Sequence, residues 1–154
     1  MAADKAATER INSFQGTPFA SNDYSKIYAN LYELNGYKFV NLKIIGPVEV
    51  VTLDGCKAKF ELQDGQFMEV DSDSTEINTD FSMTLGSGIT EFEIDLGDEL
   101  LDYINSKNIS AISFSFKNSF VKFLIPDIAV LRSVVNEPIP KEEENTPEES
   151  TETE

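Results

Sequence analysis

Apolar and polar residues alternate with a period of two over much of this chain, and the alternation is clearest between residues 76 and 96. Every second position there is apolar or a threonine on both sides of a Ser87-Gly88 pair: Ile77, Thr79, Phe81, Met83 and Leu85 before it, and Thr90, Phe92, Ile94 and Leu96 after it. This periodicity is typical of β-strands with one buried face. Because Ser-Gly favours a tight turn, the segment predicts a β-hairpin with a two-residue loop, or with a four-residue loop of the same register.

The apolar positions also predict the register of this hairpin. A two-residue loop places Met83 opposite Phe92, so that the apolar side chains of both strands share one face. A shift of one residue would place Met83 opposite Glu91 and would turn every side chain to the wrong face. In the preferred register, Asp80 lies directly opposite Asp95 on the polar face.

Other turn signals separate further alternating segments. Residues 24–34 also show helical spacing, but a hairpin at Asn35-Gly36 leaves no mismatched neighbour on either face. Its predicted pairs are Glu33 with Lys38, Leu31 with Val40, Asn30 with Asn41, Ala29 with Leu42 and Ile27 with Ile44. A hairpin at Asn118-Ser119 likewise predicts the pairs Phe116 with Val121, Phe114 with Phe123 and Ile112 with Ile125.

The turns at Asp54-Gly55 and Asp64-Gly65 predict a three-stranded meander over residues 48–70. Its apolar face is predicted to contain Val51, Leu53, Cys56, Ala58, Phe60, Leu62 and Phe67, with Lys57, Lys59 and Glu61 on the other face. We interpret Cys56 as a small core residue, because the chain has no histidine that could activate a thiol as a nucleophile.

The remaining segments have helical or irregular patterns. Residues 2–14 predict a short helix that is ordered only if it docks, and residues 18–23 predict a linker. A helix of about ten residues is predicted with Asp98 as its N-cap, and Asn108 is predicted to end it in the left-handed conformation. Residues 127–135 fit either a last strand or a short closing helix.

These elements predict a mainly β (α+β) fold, in which antiparallel hairpins and a meander form a sandwich or a partly open barrel, with one helix inserted before the last hairpin. The predicted organisation has three parts. Residues 1–23 form an N-terminal segment, either a short helix or disordered, and residues 24–135 form a single mainly β domain. Residues 136–154 are predicted to be a disordered acidic tail, because they contain too few apolar groups to offset the entropy of ordering.

Charge adds the strongest functional signal. The formal net charge is −16, and residues 60–106 contain 13 acidic residues and no lysine or arginine. Residues 137–154 add eight glutamates and one lysine. Such a balance repels phosphate backbones and anionic lipid surfaces, so we expect no binding to nucleic acid or membranes. The expected partner is a basic protein or a second copy of the chain, in the cytoplasm.

The residue types exclude several kinds of chemistry. With no histidine and one cysteine, the chain cannot form a Ser-His-Asp triad or a four-ligand structural zinc site. Asp71, Asp73 and Thr75 match the first positions of a calcium loop, but Glu76 replaces its glycine and Ser82 replaces its bidentate acid. No cofactor is therefore expected, although a divalent cation bound by carboxylates remains an alternative.

The predicted hairpin register gives the candidate site. Asp80 and Asp95 face each other, and like charges in that position are destabilising unless a cation or a basic partner neutralises them. Asp80 and Asp95 are therefore the candidate metal ligands. The wider acidic face, which is the candidate partner-binding surface, consists of Asp80, Glu91, Glu93, Asp95 and Asp98. If the pair forms, replacing either aspartate of the pair by Asn should stabilise the protein at low salt.

The leading hypothesis is a non-catalytic protein-interaction or assembly module with an acidic face and an acidic tail. The alternatives are a small metal-dependent or ligand-binding protein that uses carboxylates, with or without catalysis, and an acidic mimic of nucleic acid. A deep pocket with three or more acids would favour the second hypothesis, and a convex acidic ridge would favour the third. A flat apolar patch beside acids would favour the interaction module.

Overall fold

A computed structural model describes residues 2–138 of the chain. The prediction of a disordered tail concerns residues 136–154, most of which lie outside these described residues. The elements are α1 (Ala2–Ser13), β1 (Ala20–Ser21), β2 (Lys26–Leu34), β3 (Tyr37–Gly46), β4 (Val51–Thr52), β5 (Lys57–Leu62), β6 (Phe67–Asp71), β7 (Ile77–Asn78), β8 (Asp80–Ser82), β9 (Ser87–Asp95), α2 (Asp98–Ser106), β10 (Ile109–Ser115), β11 (Phe120–Leu124) and α3 (Ile128–Val135).

Nine of the strands form one antiparallel sheet in the order β6-β5-β10-β11-β1-β2-β3-β9-β8, and β4 and β7 form a separate two-stranded sheet. The large sheet curls into a half-barrel, and α2 precedes the last hairpin. The predicted mainly β fold is therefore confirmed, in its partly open barrel form. The predicted linker at residues 18–23 is wrong in part, because Ala20 and Ser21 form β1 and join β11 to β2.

The β2–β3 hairpin has the predicted register over its whole length. Leu31 faces Val40, Ile27 faces Ile44 and the other predicted pairs are also present. Asn35 and Gly36 have φ values of 54° and 83°. A two-residue hairpin turn of this type needs positive φ at both positions, which Asn and Gly supply at low cost.

The β8–β9 hairpin forms, but its predicted register is wrong. Ser82 faces Ser87 across a four-residue turn, so Asp80 lies opposite Ile89 instead of Asp95. This shift of six residues is even, so the inward and outward positions of the paired strands are unchanged and the hydrophobic pattern cannot detect it. The predicted burial of Met83 and Leu85 is wrong, because both residues lie in the turn and are 79% and 42% exposed. Gly88 lies under Thr79 and Phe81, whose side chains leave no room for a Cβ atom there.

The predicted meander is only half correct. β5 and β6 pair around Gly65, but a three-residue loop places Phe67 opposite Glu61 on the outer face, where it is 51% exposed. β4 pairs with β7 instead of β5, and Gly55 donates its backbone N–H to the Thr75 carbonyl. The predicted burial of Val51 and Leu53 is therefore wrong.

The last hairpin also keeps its faces and changes its register. Phe114 faces Val121 instead of Phe123, a shift of two residues, and the loop lies at residues 117–118. The helix α2 has Gly97 as its N-cap instead of Asp98, and Asn108 does not adopt positive φ. Residues 128–135 are helical, and the Asp127 carboxylate caps α3 by accepting from the backbone N–H of Ala129 at 3.0 Å.

The core lies on the concave side of the half-barrel. Inward side chains of the sheet pack there with Leu100 and Ile104 of α2 and with Leu131 and Val135 of α3. The helix α1 packs on the opposite, outer side against β8 and β9. None of the helices within residues 2–138 combines the length and the hydropathy needed to span a lipid bilayer.

Candidate functional site

The candidate site lies on the outer face of β2, β3 and β9. Along β9, the outward side chains of Glu91, Glu93 and Asp95 alternate with the buried side chains of Phe92 and Ile94. In the strand register, each of these acids lies beside one residue of β3 and then one residue of β2, which together form a row across the sheet. These rows are Glu91 with Lys43 and Tyr28, Glu93 with Asn41 and Asn30, and Asp95 with Phe39 and Tyr32.

Asp80 and Asp95 do not form the predicted pair. Asp80 faces Ile89 and Asp95 faces Phe39, so the two acids stand six residues apart along β9, or about 20 Å. The predicted metal ligands therefore lack the geometry for a shared cation. Within residues 2–138, no group of three Cys, Asp or Glu side chains is placed to hold a metal ion.

Arg10 of α1 pairs with two acids of the predicted acidic face, a contact that the sequence analysis did not predict. Its Nη1 atom lies 3.3 Å from Asp80 Oδ2, and its Nη2 atom donates to Glu91 Oε1 at 2.5 Å. Lys43 Nζ lies 3.6 Å from Glu91 Oε2. Because 70 and 81 residues separate Arg10 from its partners, no local pattern could have identified these contacts.

Asn41 connects the acids of β9 to each other. Its buried side-chain amide donates to Glu91 Oε2 at 2.8 Å and to Glu93 Oε2 at 3.0 Å, and its Oδ1 atom accepts from Lys43 at 2.7 Å. Desolvation raises the pKa of Glu91, but the Asn41 hydrogen bond and the charges of Lys43 and Arg10 together outweigh it. The pKa of Glu91 therefore lies below its ordinary value.

Glu93 is held by the loop that follows β6. Ser74 Oγ donates to Glu93 Oε1 and accepts from the Glu93 backbone N–H, both at 3.0 Å, and the Asp73 N–H donates to the Glu93 carbonyl at 2.7 Å. These acids also affect Tyr32. The pKa of its phenol is raised first by burial and then by the charges of Glu93, Asp73 and Glu91.

The predicted acidic face therefore has two halves that differ in charge compensation. Asp80 and Glu91 are paired with Arg10. Glu93, Asp95 and Asp98 have no lysine or arginine nitrogen within 4 Å in the part of the chain that the structure describes. Asp98 opens α2, where the helix dipole stabilises a carboxylate.

An aromatic patch that the sequence reading did not single out lies next to the uncompensated acids. Leu34 faces Tyr37, and Tyr32 faces Phe39, so all four side chains share the outer face at the end of the β2–β3 hairpin. The rings of Tyr32 and Phe39 stack with centroids 5.4 Å apart, and Leu34 and Tyr37 are 51% and 66% exposed. We call these four residues the tip patch. Their common parity around Asn35-Gly36 is the sequence signal that could have identified it.

Two other positions, Cys56 and a surface cleft, are poorly suited to catalysis. Cys56 is buried, as predicted, and desolvation raises the pKa of its thiol to about 11, so it is protonated at neutral pH. A surface cleft of about 510 Å³ brings together Asp54 and Asp71, but each acid is paired with a lysine, Lys117 at 3.7 Å and Lys57 at 2.8 Å.

No protein-family model, curated protein sequence or solved structure matches this chain.

Proposed function

We propose that this chain is a non-catalytic protein-interaction module that binds a basic protein through the outer face of β2, β3 and β9. The observation that carries the proposal is the position of the tip patch beside acids that have no ion-pair partner within residues 2–138. Phe39 of the patch stands directly opposite Asp95 in the sheet register. An apolar centre with a charged rim is the arrangement found in many protein interfaces.

The two parts of this surface have different energetic roles. Tyr37 and Leu34 offer apolar area that a partner can bury, and tyrosine is common among the residues that dominate binding energy. Glu93, Asp95 and Asp98 contribute mainly to specificity and to the rate of association, because they attract a basic surface before contact. The net charge of −16 extends this attraction over the Debye length, about 8 Å at physiological salt.

A basic protein is a better partner for this face than a second copy of the chain. A two-fold symmetric contact presents the same patch from both subunits, so the acids of β9 would approach the acids of the other copy. Such like-charge contacts are destabilising, whereas lysines and arginines on a different protein would complement Asp95 and Asp98.

The two alternative functions receive less support from the same geometry. Acids of the 510 Å³ cleft are already paired with lysines, which does not favour carboxylate catalysis. A mimic of nucleic acid needs a long series of uncompensated negative charges, whereas the outer face of β9 carries only three acids, Glu91, Glu93 and Asp95. One of them, Glu91, is also neutralised by Arg10, so the acids of β9 are a poor mimic of a phosphate backbone.

Affinity capture with matched variants tests the proposal. The face variant combines Asp95→Asn, Asp98→Asn and Tyr37→Ser, which all lie at exposed positions. The control variant combines Asp23→Asn, Glu49→Gln and Tyr24→Ser, which are also exposed and belong neither to the tip patch nor to the acids of the face. A protein captured by the wild type is identified and purified, and its affinity for all three forms is measured as a function of salt.

We expect the face variant to bind this protein at least about tenfold more weakly than the wild type, and the control variant to bind it normally. The affinity of the wild type should fall as salt increases, because rim charges are screened. Equal binding by the face and control variants, or a captured partner with an acidic binding surface, would contradict the proposal.

A further inference from the structure

β6 is a terminal strand of the nine-stranded sheet and has a partner on one side only. The Leu62 N–H donates to the Gln66 carbonyl, and the Ser72 N–H donates to the Cys56 carbonyl. These two hydrogen bonds establish which residues of β6 direct their backbone N–H and C=O groups towards β5 and which direct them away from it. In the β5–β6 ladder, Met68 and Val70 therefore direct their backbone groups towards β5. The N–H and C=O groups of Phe67, Glu69 and Asp71 point to the open edge, where no backbone partner exists within residues 2–138.

The inner side of β6 is incompletely covered. Met68 and Val70 point towards the core but are only half-buried, whereas their neighbours Phe60 and Ala58 on β5 are 3% and 0% exposed. The strand therefore lies at the margin of the core. One additional strand along this edge would cover both side chains and would pair the open backbone groups.

The outer side of β6 carries Phe67, Glu69 and Asp71, and Lys59 of β5 stands opposite Glu69. Glu69 and Asp71 are exposed, and Asp64 lies in the turn that leads into the strand. Lys57 pairs with Asp71 from the β5 side at 2.8 Å, but no cation approaches from the open side within the described residues. A strand added there would meet Phe67 and the two carboxylates on its outer face, and methionine and valine on its inner face.

We propose that the open edge of β6 binds an extended segment of a partner protein as an added β-strand, with apolar residues alternating with lysine or arginine. The main-chain hydrogen bonds would supply much of the affinity, and the alternation would supply the specificity. This inference concerns a different surface from the acidic face of β9, and it stands or fails separately from the function proposed above.

Two structural comparisons support this choice of surface and partner. β8, at the opposite end of the sheet, has only three residues and is covered by α1, whose Thr8 Oγ1 lies 2.5 Å from Ser82 Oγ. A second copy is also a poor partner for β6. Antiparallel pairing of two β6 strands would place Glu69 near its counterpart, and like charges across strands are destabilising.

The test uses a labelled peptide of about nine residues in which Lys and Val alternate, a length that exceeds β6. One control peptide has the same residues in two blocks, and another alternates Glu and Val. Binding is measured by fluorescence anisotropy, and amide hydrogen exchange locates the contact. We expect only the alternating Lys-Val peptide to bind well and to add protection at Phe67, Glu69 and Asp71, without a change at Phe39 or Asp95.

Variants of Glu69 separate the backbone contribution from the charge. Glu69→Pro removes an N–H that points to the open edge, so it should weaken binding about tenfold beyond the loss in Glu69→Ala, which keeps that N–H. The double variant Glu69→Lys with Asp71→Lys should prefer the Glu-Val peptide. This charge reversal, and the peptide controls, keep the test valid even if the proline variant fails to fold.

Several results would overturn the inference. These are equal binding of the alternating and block peptides, unchanged binding by Glu69→Pro when that variant is folded, and added protection on β9 instead of β6. Protection of Phe67, Glu69 and Asp71 before any peptide is added would also overturn it, because the edge would then be occupied by a second copy or by the chain itself. Loss of peptide binding in the face variant would assign the peptide to the acidic face.

Discussion

Arg10 connects three elements through one guanidinium group, because it lies on α1 and contacts Asp80 on β8 and Glu91 on β9. The three side chains are 39%, 41% and 37% exposed, so water screens both ion pairs. Each pair is therefore expected to contribute at most about 1 kcal/mol. Their importance is electrostatic, since they restrict the uncompensated charge to Glu93, Asp95 and Asp98.

The two aspartates of the candidate site should respond differently to the same substitution. Asp80→Asn should lower the free energy of unfolding by about 0.2 to 1 kcal/mol, because Asp80 loses its pairing with Arg10. Asp95→Asn should change it by less than about 0.5 kcal/mol, because Asp95 has no cationic partner within residues 2–138. Urea denaturation at low salt measures both. A stabilisation by both variants would instead support the register in which the two aspartates face each other.

The lowered pKa of Glu91 predicts a dependence of stability on pH. A carboxyl whose pKa is lower in the folded state stabilises the protein above its unfolded pKa, about 4.3 for Glu. This contribution is lost as the pH falls through the folded value. Glu91→Gln should therefore be less stable than the wild type at pH 7, and the difference should shrink below about pH 4.

Urea denaturation across this pH range measures the effect of Glu91→Gln. Glu49→Gln is the matched control, since Glu49 is exposed and has no ion-pair partner among the described residues. It should follow the wild-type profile. A difference between Glu91→Gln and the wild type that stays constant down to pH 3 would show that Glu91 does not act through its charge.

At the scale of the elements, Arg132 holds α3 against the end of α2. Its Nε atom donates to the Ile104 carbonyl at 2.9 Å, and its Nη2 atom donates to the Lys107 carbonyl at 2.8 Å. Helix ends leave carbonyl groups without intrahelical partners, and this guanidinium satisfies two of them. The helices are therefore joined by directed hydrogen bonds as well as by their apolar side chains.

Arg132→Ala should destabilise the protein by about 1 to 3 kcal/mol, because both carbonyls lose a charged donor. Arg132→Lys should recover only part of the loss, since an ammonium group cannot reproduce the two-nitrogen geometry. Lys5→Ala, at an exposed position of α1, is the control and should have little effect. Chemical denaturation gives the three values. A loss no larger than that of Lys5→Ala would show that these hydrogen bonds contribute nothing.

The turn that carries the tip patch can be tested at one glycine. Gly36 has a φ of +83° and open space around it, so Gly36→Ser adds only conformational strain, about 1 to 2 kcal/mol. Gly97 also has open space but extended backbone, and as the N-cap of α2 it should accept Ser without loss. Thermal unfolding compares the two variants. Equal stability of both would mean that the turn does not require positive φ at Gly36.

At the scale of the whole molecule, charge should decide which surfaces the protein avoids. The net charge is −16, so duplex DNA and anionic lipid vesicles should repel it. We expect no binding to either at physiological salt in gel-shift and sedimentation experiments. A basic protein of similar size, tested in parallel, should bind both. Tight and salt-sensitive binding by the wild type would show that a local basic patch overcomes the total charge.

The outcome of each hairpin prediction depended on which physical property fixed it. At Asn35-Gly36 the turn itself requires two residues with positive φ, so local chemistry set the register of β2 and β3. Asp64-Gly65 is also a strong turn signal, but its three-residue loop shifts the register of β5 and β6 by one residue and turns Phe67 outward. The other two hairpins have weaker turn signals. Their registers differ from the predictions by two and six residues, and even shifts leave the hydrophobic pattern unchanged.

The sequence by itself determined the faces of β2, β3, β9, β10 and β11, the helix before the last hairpin, the burial of Cys56 and the acidic character of the surface, because periodicity and composition act locally. Only the tertiary structure decided which acids remain without a partner. That outcome depends on the β3–β9 register, which places Asn41 beside Glu93, and on the docking of α1, which brings Arg10 to Asp80 and Glu91. These contacts join residues 50 to 81 positions apart, and the free energy of the whole fold selects them.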